Sequence, residues 1–114
     1  MKTLGIGGVF IRVKNIEESK KWYKDVLDVN IEEWNGACFI ENNETIFSLF
    51  NKENDYFPTN QDFMLNFRID SMDEFIDKLN NLNIIITRPV EVSEYGKFVW
   101  ITDPDNRLVE VWEK

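Results

Sequence analysis

At 114 residues the chain has the length of one domain, with material for a single core but not for two independent ones. Hydrophobic residues make up 43% and charged residues 30%, no apolar run approaches the roughly 20 residues of a membrane span, and a formal charge of −8 opposes nucleic-acid binding, which needs a positive field. Histidine is absent, which removes the commonest nitrogen ligand and general base; the single Cys38 excludes an internal disulfide and fits a reducing compartment. With no signal-peptide apolar region at the start, a cytoplasmic location is expected.

Residues 5–13 (GIGGVFIRV) are β-branched and apolar and read as a strand, with Gly7-Gly8 permitting a bulge or a close backbone approach. Asn15 then caps a helix over residues 16–27, with Glu18 at the matching capping-box position and Ile16, Trp22, Tyr23, Val26 and Leu27 as its apolar face. Short strands follow at 29–34, 37–41 and 45–51, the last two around an Asn42-Asn43 turn. Residues 51–62 (NKENDYFPTNQD) are polar and aperiodic and form a linker. Beyond it, 63–69 reads as a strand, Ser71 and Glu74 form a second capping box, and Met72, Phe75, Ile76, Leu79 and Leu82 mark a helix over 72–82. Strands at 84–92, 96–102 and 107–113 complete the chain, with Asp103 and Asp105 as turn formers in a DPDN sequence.

The second half repeats the first. FIRVKNIEE (10–18) aligns with NFRIDSMDE (66–74), placing Arg12 on Arg68 and Glu18 on Glu74, and IENNETIFSLF (40–50) aligns with TDPDNRLVEVW (102–112). A repeat of this period is one supersecondary unit used twice. The expected fold is α+β: a single domain over 1–114, made of two βαβββ modules at about 5–51 and 62–113.

With its tail DPDNRLVEVWE and its opening IRVKNIEESKKWYKDVLDV, the duplicated unit resembles the vicinal oxygen chelate superfamily, which includes glyoxalase I, the bleomycin and fosfomycin resistance proteins and the extradiol dioxygenases. The resemblance implies a curved mixed sheet around a cavity, and two chains in the assembly. It also implies metal ligands on four strands, at positions that here carry Gly8, Ser48, Met64 and Glu110. Only Glu110 is a strong donor, so no metal and no other cofactor is expected. Counting by strand parity from those positions, Phe10, Arg12, Phe50, Asn66, Arg68 and Trp112 should face the cavity, with Cys38 and Trp100 across the hairpins from Ser48 and Glu110. That lining mixes aromatic surface with a few polar groups, as small-molecule pockets do.

Blander readings stand beside this one. Arg12 and Arg68 either grip an anionic group or pair with carboxylates such as Glu110, and Glu110 either performs acid–base work or balances charge. Trp100 and Trp112 are core residues or stacking platforms, and Cys38, with no histidine to activate it, behaves as a small hydrophobe. The leading expectation is a metal-free protein that holds a small organic molecule, as a homodimer. The alternatives are a lyase, isomerase or dioxygenase-type enzyme using Glu110 as base or metal ligand, and a dimeric scaffold with no ligand.

Overall fold

Helices α1 (Ile16–Leu27) and α2 (Met72–Asn81) start at the two capping residues that the repeat shares. The structure, a computed structural model, describes Met1, Leu4, residues 9–40 and residues 44–114. The Asn15 side-chain oxygen accepts the Glu18 N–H at 2.9 Å and the Ser71 hydroxyl accepts the Glu74 N–H at 3.3 Å, each satisfying a donor the first helical turn leaves open. At the far end of α2, Asn83 takes a left-handed conformation (φ 56°). The Ile84 N–H then reaches the Leu79 carbonyl and the Asn83 N–H the Asn80 carbonyl, a Schellman closure. Asp28 (φ 55°) ends α1 in the same left-handed region.

Strands β1 (Leu65–Arg68), β2 (Arg88–Ser93), β3 (Gly96–Thr102) and β4 (Leu108–Glu113) form one mixed sheet in the order β1-β4-β3-β2. β4 runs parallel to β1 and antiparallel to β3. Alternation along β3 and β4 sends Val99, Ile101, Val109 and Val111 to one face, where they meet Val26 of α1 and Met72, Phe75 and Leu79 of α2. All eight are almost fully buried, and each contributes about 1.5–3 kcal/mol by leaving water. Both helices therefore cover one face of the sheet and leave the other to the site.

Two local features set the register of the β2–β3 hairpin. Gly96 has φ 124°, and a Cβ there would lie 2.2 Å from the Glu113 carbonyl oxygen, so the turn admits glycine and little else. Arg88 pairs with Trp100 but Glu91 with Phe98, so β2 carries one extra residue, a bulge at Pro89-Val90.

The second half follows the expected order of strand, helix and three strands, and the first half does not. Among the described residues, 9–13, 29–34, 37–40 and 44–51 form no strand, and α1 is the regular element there. The Gly7-Gly8 and Asn42-Asn43 readings fall outside the described residues. The physical reason is a missing layer. Ile46 and Phe47 point opposite ways in an extended chain yet are both exposed, as are Phe10, Ile40 and Leu49, so no buried face selects a register. α1 packs instead on the sheet of the second module.

Candidate functional site

On the sheet face opposite the helices, strand register lines up two rows of side chains. Asn66, Glu110, Trp100 and Arg88 follow one another across β1, β4, β3 and β2. The next row reads Arg68, Trp112, Phe98 and Glu91. The bulge at Pro89-Val90 is what puts both Arg88 and Glu91 on this face, since without it they would fall on opposite sides.

Glu110 is the centre of the first row. Only 7% of it is exposed, and both carboxylate oxygens are engaged. Asn66 Nδ2 donates to Oε1 at 2.6 Å; Trp100 Nε1 and the Tyr56 hydroxyl donate to Oε2 at 2.9 and 2.5 Å. Bonds of this kind to an ionised acceptor are short and about twice as strong as neutral ones. Burial, and then the hydrogen bond to Glu110, push the Tyr56 phenol well above the ordinary tyrosine value, so it remains a donor at neutral pH. The guanidinium of Arg88 lies 4.7 Å from the Trp100 ring centroid and 5.3 Å from that of Tyr56, and its Nη2 donates to the Tyr56 carbonyl. Each such cation–π contact contributes about 0.5–2 kcal/mol.

Aromatic rings extend the site in both directions. Phe98 stacks on Trp112 at 5.9 Å with 5° between planes and on Trp100 at 6.4 Å with 18°. Arg68 lies 5.6 Å from the Trp112 ring and donates to the Glu44 carbonyl at 2.8 Å. A cation thus closes each end of a three-ring ladder. On the other side Tyr56 meets Phe50 at 5.6 Å, and Phe50 meets Phe57 at 5.4 Å.

The lining expected from sequence divides in two. Asn66, Arg68, Trp100, Glu110 and Trp112 share this face, Phe50 reaches it through Tyr56, and Met64 sits half-buried just before β1. Phe10, Arg12, Cys38 and Ser48 do not join them, and that expectation is corrected. Phe10 is 95% exposed, and Cys38 and Ser48 are exposed on segments without strand structure. Arg12 is exposed beside the turn before β4, its carbonyl accepting from Arg107. Parity fixes a side chain's direction only within a paired strand, and these residues are not in one.

Sequence reasoning missed Tyr56, Arg88 and Glu91. Tyr56 lies in the aperiodic linker, where no pattern can place it. Arg88 is displaced by the bulge from the position that counting back along the hairpin would give, while Glu91, opposite Phe98, lies on the turn side of the bulge and keeps the register set at Ser93 and Gly96.

The four positions that the resemblance marks for metal do not fit a divalent ion. Gly8, outside the described residues, has no side chain to offer, Ser48 is exposed, Met64 is a thioether, and the Glu110 oxygens face hydrogen-bond donors. No group of three or more metal-binding side chains converges among the described residues.

Asp103 and Asp105 serve the turn before β4. Asp103, its side chain wholly buried, accepts the Asp105 and Arg107 N–H groups at 2.9 Å each, the Arg107 guanidinium at 2.7 Å and the Tyr23 hydroxyl at 3.0 Å. Asp105 accepts the Lys14 N–H at 2.9 Å, tying the approach to α1 onto the same turn. Two surface grooves lie elsewhere, one of about 470 Å³ between α2 and β2 and one of about 280 Å³ along α1, and neither includes Glu110.

Comparison with known families and structures gives a consistent fold. The family model for the glyoxalase-like domain matches residues 6–114. Among solved structures, the chain is similar to a glyoxylase/bleomycin resistance protein/dioxygenase domain from Frankia sp. EAN1pec, with 16% identity, TM-score 0.62, and 98% of this chain and 93% of that one covered. It is similar also to lactoylglutathione lyase from Agrobacterium tumefaciens (14%, TM-score 0.60, 99% and 96% covered). A third is the fosfomycin resistance protein FosX from Listeria monocytogenes (15%, TM-score 0.61, 99% and 95% covered). Comparison with curated proteins gave no match. At these identities the structural likeness describes the fold.

Proposed function

The chain belongs to the glyoxalase-like domain family, and from that premise we propose that it is a metal-free protein that holds a small organic molecule on the aromatic face around Glu110. The observation that carries this reading is the Glu110 cradle. At a position where the family resemblance implies a metal ligand, the carboxylate is met by three N–H and O–H donors and flanked by rings and a guanidinium. That set suits recognition by hydrogen bonding and stacking.

A second reading, a scaffold with no ligand, is favoured by one observation: the carboxylate is already saturated from within the chain. Native mass spectrometry of freshly purified protein separates the two. A co-purifying organic molecule of fixed mass, lost in Trp100→Ala, supports the binder. Bare protein that shows no fluorescence response to any of a panel of aromatic compounds supports the scaffold.

The expected assembly is a homodimer in the cytoplasm. Among the described residues β1 is an edge strand, and Phe10, Ile40, Phe47 and Leu49 are exposed, which is apolar surface that a second copy can cover. Light scattering should return twice 13.6 kDa at micromolar concentration, and the monomer mass would reject the dimer. Among the described residues no helix is long and apolar enough to cross a membrane.

A further inference from the structure

We infer that Tyr56 is a resident occupant of the Glu110 site, a phenol the chain supplies itself, and that the site therefore selects a neutral aromatic ring bearing one O–H donor that displaces it. The inference rests on the binding reading above and names its ligand class.

Tyr56 stands apart from the elements that build the site. It belongs to the linker at 51–62, whose own bonds are mostly local. Asn51 accepts the Glu53 N–H at 3.0 Å and Asn54 accepts the Tyr56 N–H at 2.8 Å, both turns that close without help from the sheet. The linker is fastened at its far end, where the Gln61 amide donates to the Leu108 carbonyl and accepts the Leu108 N–H, at 2.9 Å each. Between those points Tyr56 bonds to the sheet through its hydroxyl and its carbonyl. Gln61 is thus a hinge on β4, and Tyr56 is a latch.

What surrounds the Tyr56 ring comes from outside the linker. Glu110 accepts its hydroxyl at 2.5 Å, Arg88 lies 5.3 Å from its centroid, Trp100 meets it edge-on at 6.1 Å and Phe50 at 5.6 Å. When the ring swings out, these groups keep their supports, because Asn66 and Trp100 still hold the carboxylate and Arg88 still lies over Trp100. An external phenol restores each contact. A ring without a donor leaves Glu110 Oε2 with the Trp100 bond alone where it had two, an anionic ring sets like charge against Glu110, and a cationic ring sets it against Arg88.

Phenol, toluene and benzoate are titrated into wild type, Tyr56→Ala and Tyr56→Phe, with tryptophan fluorescence as the readout and circular dichroism to establish folding. Tyr56→Ala should bind phenol saturably and about tenfold or more tightly than wild type, the worth of one charge-assisted hydrogen bond relieved from competition. Toluene should bind it more weakly and benzoate not at all. Equal affinity of wild type and Tyr56→Ala for phenol overturns the inference. So does toluene matching phenol, although that result leaves the broader aromatic-ligand reading intact. If Tyr56→Ala does not fold, Tyr56→Phe decides, since it keeps the ring and loses only the latch bond; its phenol affinity must exceed wild type, and an unchanged value overturns the inference.

Discussion

Replacing Glu110 by Gln tests whether the negative charge holds the cradle together. The change keeps volume and one carbonyl oxygen. That oxygen can still accept from Trp100 and Tyr56, and Asn66 can turn its own amide oxygen toward the new NH2 group. What disappears is charge assistance on three bonds. Each falls from about 1.5–3 kcal/mol to about 0.5–1.5 kcal/mol, a gross loss of about 3–4.5 kcal/mol over the three. Reorientation of the exposed Asn66 recovers part of it, so the expected net loss is about 2 kcal/mol. Glu110→Ala should cost more, about 3 kcal/mol or above, because Trp100 is only 1% exposed and its indole N–H would be left without water or partner. Urea titration followed by tryptophan fluorescence measures both, with the midpoint expected to fall at constant slope. A Glu110→Gln protein as stable as wild type, or more stable, would show that shape and not charge maintains the site.

Asp103→Asn should destabilise by about 2–3 kcal/mol, less than the full cost of breaking a buried ion pair because Arg107 is partly exposed, and the same titration reads it. Gly96→Ala forces a Cβ against the Glu113 carbonyl at positive φ; a loss of about 2 kcal/mol or more, seen as a lowered Tm, is expected. Stability should fall as pH rises beyond about 10. There the unfolded chain releases its tyrosine protons while the folded state, with Tyr23 and Tyr56 raised by burial and by Asp103 and Glu110, retains them. The urea midpoint at alkaline pH should therefore decline less steeply in Tyr56→Phe than in wild type.

Both helices and the strands of the second half were legible in the sequence because their signals are local or short-range. Asn15 and Ser71 are caps whose partners lie three residues on, and the Met72–Leu79 stripe needs only a helix to align it. Parity then carried Asn66, Trp100, Glu110 and Trp112 to one face, since β1, β3 and β4 pair without interruption. Arg88 was not legible in this way: counting back from Ser93 opposite Gly96 puts Pro89 against Trp100, and the bulge moves Arg88 there instead. The strands expected in the first half are not found among the described residues, for a different reason. Residues 45–50 have strand composition, but composition supplies no neighbouring strand, and Ile46, Phe47 and Leu49 all face solvent. Arg12 aligned with Arg68 in the repeat and still arrived elsewhere, because like sequences share a place in the fold only when both are paired.

The order of strands in the sheet has a consequence for synthesis. β4 lies between β1 and β3, yet it is made after both of them. When the ribosome has completed β3, β1 still lacks β4, its partner among the described residues, and Met72, Phe75 and Leu79 still lack Val109 and Val111 from the cluster they will join. The β2–β3 hairpin can form early, but β1 and α2 must wait for residues 108–113 to slide in, parallel to one strand and antiparallel to the other. Released chains that end before Leu108 would thus be open to proteases and holding chaperones in a way that chains carrying Leu108–Glu113 would not.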